Sequence, residues 1–125
     1  MLVLVALLLP GVGFAEPAVR AVGCIGLTVA DADLAVGFYT GVLQFARRAD
    51  DERAGEANAR FSGVFGLRER VITLALGAEC LEVHEAIAPP GRPIPSGRRS
   101  NDLSFQHIAI VVRDMDAAYA ILRQA

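Results

Sequence analysis

Three short stretches place chemically capable side chains at alternating positions. Cys24, Gly26 and Thr28 alternate with Ile25, Leu27 and Val29. Cys80, Glu82 and His84 alternate with Leu81 and Val83. Phe105, His107 and Ala109 alternate with Ile108, Ile110 and Val112 in the third. Successive side chains of a strand point to opposite faces, so each stretch puts an apolar row on one face and the first-named residues on the other. Thiols, a carboxylate and imidazoles on one sheet face are metal-ligand and acid/base types. Their spacing is not contiguous, so it carries no motif specificity. An ordinary solvated sheet face fits the same pattern.

The positioning elements repeat once. Cys24-Ile25-Gly26-Leu27-Thr28-Val29-Ala30-Asp31-Ala32-Asp33 is echoed by His107-Ile108-Ala109-Ile110-Val111-Val112-Arg113-Asp114-Met115-Asp116. The offset is 83 residues, His107 against Cys24. That is longer than a solenoid repeat and points to two similar halves, each opened by a strand that runs into a helix. Asp31 and Asp114 are the expected N-caps, with Asp33 and Asp116 in the first turns.

Around these, the patterning predicts a strand over 22–29 and a helix over 32–43 with Leu34, Ala35, Phe38 and Val42 at helical spacing. A second, partly exposed strand is expected over 45–51, a polar loop over 50–58 and a short helix over 57–64. Strands over 69–76 and 79–86 form a hairpin about Gly77-Ala78. Residues 88–104 hold four prolines and two glycines and read as a long inter-module loop. A strand over 105–112 and a helix over 115–124 follow. The domain reading is therefore a module at 19–87, a Pro/Gly/Arg-rich loop at 88–104 and the start of a second module at 105–125.

The chain has 125 residues, the length of one domain or a piece of one. Apolar residues make up 54%, enough for a core, and the 21% of charged residues is ordinary for a folded domain. The net charge is −2, and the arginines form no basic stripe, which argues against nucleic acid as a partner. Residues 2–9 are unbroken apolar, too short to span a membrane as a helix. Gly13 and Ala15 suit the small positions of a signal-peptide cleavage site, so residues 1–15 are expected to be removed on export to a periplasmic or secreted location. No Lys or Arg precedes the run, and a buried segment of a longer chain, or a cytoplasmic protein, fits it as well.

The repeat, the two Asp-x-Asp pairs, Phe38-Tyr39 followed by Val42-Leu43-Gln44-Phe45, the Leu81-Glu82-Val83 strand and Gln106-His107-Ile108-Ala109 resemble the vicinal oxygen chelate superfamily of glyoxalases, bleomycin-resistance proteins and extradiol dioxygenases. The resemblance runs from about Val19 to the C-terminus. It implies an α+β fold: a βαβββ module, here followed by the first strand and helix of an incomplete second one. It also implies a cup-shaped sheet that holds a divalent metal such as zinc, nickel, iron or manganese. On the matching positions the ligands would be Cys24 (where the family has histidine), Glu82 and His107, with Glu82 as the proton-shuttling carboxylate and His84, Thr28 and Phe105 on the same face. The activity implied is that of a metal-dependent lyase or isomerase on a small oxygen-chelating substrate. An extradiol-type dioxygenase, a non-enzymatic ligand-sequestering module of the bleomycin-resistance type and an inactive fragment are alternatives. A second copy or a missing module would complete the cup. The family's sheet order sets Cys24 level with Glu82, so that Cys24 and Cys80 form a diagonal pair roughly 7 Å apart, too far to bridge. On that basis the two thiols are expected to stay unbridged.

Overall fold

The computed structural model describes residues 18–103 and 107–125. The expected leader at 1–15, and Phe105 with Gln106, lie outside the described residues. The order of elements is β1 (Cys24–Val29), α1 (Ala32–Gly41), β2 (Ala46–Arg53), α2 (Glu56–Ser62), β3 (Arg68–Leu76), β4 (Glu79–Ala88) and α3 (Met115–Leu122). The four strands form one sheet in the order β1-β4-β3-β2. β1 runs parallel to β4, while β4–β3 and β3–β2 are antiparallel. This is one βαβββ module with a trailing helix.

α1 begins where its sequence demands. The Asp31 carboxylate accepts from the Leu34 N–H at 2.8 Å, and Glu85 from β4 accepts from the Ala32 N–H at 3.2 Å. Both place negative charge at the positive end of the helix. The helix then stops at Gly41, two residues short of the expected end. Gln44 takes a φ of 61° and turns the chain back, so that the Phe45 N–H donates to the Tyr39 carbonyl at 2.9 Å. Tyr39 thereby meets both Phe38 and Phe45 edge-on, with ring centroids 5.6 and 5.4 Å apart.

The core lies between α1 and one face of the sheet. Ala32, Val36 and Phe45 pack with Ile72, Leu74, Leu81 and Val83, flanked by Leu27, Val29, Ile108 and Ile110. The expected alternation therefore holds in β1 and β4: the aliphatic row faces the helix. Arg70 ties the edge of this layer, donating twice to Asp50 at 2.8 Å and to Asp33 at 3.0 Å.

Three local expectations are corrected. The polar stretch after Phe45 is strand as far as Arg53, not loop from residue 50. β2 is an edge strand, so charged residues cost it little burial. The short helix covers Glu56–Ser62 rather than 57–64, because Gly63 adopts a left-handed φ of 71° and caps it there. Residues 107–112 carry strand-like alternation but no strand pairing. A strand is a paired state, and no neighbour among the described residues supplies the ladder. Instead Ile108 and Ile110 lie against the helix-side core.

Candidate functional site

The face of the sheet away from α1 gathers the polar side chains of the three inner strands. The register places Gly26 beside Glu82, Thr28 beside His84, Val71 on the other side of His84 and Thr73 beside Glu82. Arg53 at the end of β2 pairs with Glu69 in the ladder and reaches across the face. Its guanidinium donates to Glu82 Oε1 at 2.8 Å. His84 Nδ1 lies 3.0 Å from Glu69 Oε2, and His84 Nε2 lies 3.6 Å from Glu82 Oε2. Glu69 is the most enclosed of these polar groups, with 13% of its side chain exposed, against 22% for His84 and 24% for Glu82.

An ionised carboxylate can only accept a hydrogen bond. The contact with Glu69 therefore requires the proton on Nδ1, which orients the ring and leaves Nε2 facing the open side. The 3.6 Å separation between Nε2 and Glu82 is beyond hydrogen-bond range. The face thus combines an oriented imidazole, a carboxylate held by an arginine, and a threonine.

Cys24 does not contribute a thiol to this face. It is bonded to Cys80, with Cα atoms 4.4 Å apart. The expectation of unbridged cysteines is overturned, and the reason is register. Cys24 pairs directly with Cys80, and the residue level with Glu82 is Gly26. A slip of two residues preserves every face but changes every neighbour.

His107 sits elsewhere. It lines a groove on the helix side of the sheet with Ile25, Leu27, Phe38, Tyr39 and Leu43. A neighbouring cavity of about 410 Å³ between the 108–111 segment and the sheet is lined mainly by Ile25, Phe45, Leu76 and Leu81, with Glu79 as its carboxylate. Both are apolar seams where the trailing segment rests on the module, and neither contains Glu82 or His84. The structure therefore unites Glu82, His84 and Thr28, and separates His107 from them. Sequence reasoning did not single out Arg53 or Glu69. Arg53 falls in the stretch read as loop, and Glu69 became visible only once β3 and β4 were in register.

No group of three or more His, Cys, Asp or Glu side chains among the described residues is arranged to hold a metal ion. The donor chemistry explains this: one expected ligand is consumed in a disulfide, one is paired with a guanidinium, and one lies across the sheet.

Residues 21–125 match the Glyoxalase/Bleomycin resistance protein/Dioxygenase superfamily. The chain belongs to that superfamily. Among solved structures it is similar to a glyoxalase family protein from Bacillus cereus, with a TM-score of 0.77 and 17% identity over 89% of this chain and 75% of that one. It is also similar to the protein SMU.1112c, with a TM-score of 0.55 and 24% identity over 84% of this chain and 74% of that one. Comparison with curated proteins gives no match. At these identities the structural likeness carries the fold alone.

Proposed function

We propose that the chain is a small-ligand-binding module of the superfamily that works without a metal, holding its ligand on the sheet face lined by Thr28, Arg53, Glu82 and His84. The observation that carries this reading is the Arg53–Glu82 pair at 2.8 Å. A guanidinium already satisfies the carboxylate that a metal would need, and it repels a second cation. A metal-dependent lyase, isomerase or dioxygenase would need Glu82 released from Arg53 and His107 carried to the other face. Incubation with zinc, nickel, iron(II) or manganese, followed by desalting and elemental analysis, tests the reading. Well under one metal per chain is expected. About one per chain, lost in both Glu82→Gln and His107→Ala, would establish the metal-dependent reading instead.

Two further parts of the proposal concern setting and partner. A disulfide persists in an oxidising compartment, which supports export together with the apolar run at 2–9. The outer edge of β1 has no strand beside it in the sheet, which supports a second copy of the chain as the partner that completes the ligand face.

A further inference from the structure

His84 offers an acceptor with no donor beside it. Glu69 on β3 fixes the proton on Nδ1, so the neutral ring presents the Nε2 lone pair. Glu82 on β4 presents Oε2 at 3.6 Å from that nitrogen. Arg53 on β2 donates to Oε1, the other oxygen of the same carboxylate. The fourth strand, β1, brings Gly26 and Thr28 to this face and no charge. The charges facing His84 are thus two carboxylates and one guanidinium, a net negative face when the ring is neutral. Gly26 keeps the approach open: a Cβ built there would stand 3.6 Å from Nε2, in the space through which a ligand would come.

We infer that this face binds a small primary amine in its ammonium form, with N–H bonds directed at His84 Nε2 and Glu82 Oε2. The inference rests on the metal-independent reading of the face and names its ligand class. An ammonium brings a positive charge and three donors. Placed at ordinary hydrogen-bond distance from two acceptors 3.6 Å apart, one nitrogen satisfies both. A hydroxyl has a single donor and no charge. A quaternary ammonium has the charge and no donor. An anion would meet Glu69 and Glu82.

Nitrogen-15 NMR of the full chain tests this with ethylammonium chloride as probe and tetramethylammonium chloride as the charge-matched control. The His84 ring should show the Nδ1–H tautomer, and ethylammonium should shift its Nε2 signal saturably while tetramethylammonium does not. Glu69→Gln supplies an amide that can donate to Nδ1. It should move the ring proton to Nε2 and weaken ethylammonium binding at least tenfold. Gly26→Ala meets His84 only at ordinary contact distance, so it should fold, and it should weaken binding by a similar factor with the tautomer unchanged. An Nε2–H tautomer in the unmodified protein, an equal response to both cations, or no saturable response would overturn the inference. Those results leave the metal measurement untouched, whereas a stoichiometric metal lost in Glu82→Gln would remove the reading beneath it.

Discussion

Asp31 and Asp114 occupy the same place in the two copies of one short pattern, and each caps its helix. Asp31 accepts from the Leu34 N–H at 2.8 Å and Asp114 from the Ala117 N–H at 3.0 Å. The difference is what the helix is attached to. α1 buries Ala32 and Val36 in the core, while α3 has no buried residue. Asp31→Ala should therefore cost the module about 1 kcal/mol in denaturant unfolding. Asp114→Ala should leave global unfolding within experimental error and only increase fraying of α3. Equal losses from both substitutions would show that α3 is part of the cooperative unit. The caps were legible from sequence because capping is local: the carboxylate and its N–H are three residues apart. Glu69 and Arg53 were not, because each meets its partner only through the sheet.

At the scale of elements the faces were readable and the register was not. Alternation assigns Cys24, Cys80, Glu82 and His84 to one face whatever their neighbours are, since it depends on the strand alone. Register between β1 and β4 depends on how α1, β2 and β3 carry the chain back, and no local pattern encodes that. The bridge that results closes a loop between cysteines 56 apart in sequence. Loop-closure entropy for that span corresponds to roughly 4 kcal/mol of stabilisation. Cys24→Ser with Cys80→Ser should lower stability by up to about that amount, and non-reducing intact mass should be about 2 Da below the reduced form. An unchanged mass on reduction would remove the bridge. The core beneath it makes a second prediction at this scale. Ile72 is fully buried between β3's neighbours and α1, so Ile72→Ala should cost on the order of 2–5 kcal/mol by the same unfolding measurement.

At the scale of the whole molecule the sheet has two unlike edges. β2 closes one side with Arg47, Arg48, Asp50, Asp51, Glu52 and Arg53, and charge of this density discourages another strand from adding. β1 closes the other with Cys24–Val29, which carries no charge and is exposed along most of its length. Nearby, Val22 and Ile25 are exposed, and α3 leaves Tyr119, Ile121 and Leu122 uncovered. The 107–112 stretch has the alternation of a strand, yet it lies on the helix-side core without joining the sheet. An uncharged edge beside unpaired strand-like sequence favours association over an isolated monomer, because both backbone and apolar groups gain partners. The protein should therefore elute above its monomer mass in size exclusion with light scattering at micromolar concentration. Thr28→Lys, which sets a charge on that edge strand, should shift it toward monomer. Amide exchange should slow across 24–29 on association and stay unchanged across 46–53. A concentration-independent monomer with high thermal stability would show that β1 is protected in some other way, and would leave the ligand face to be completed within a single chain.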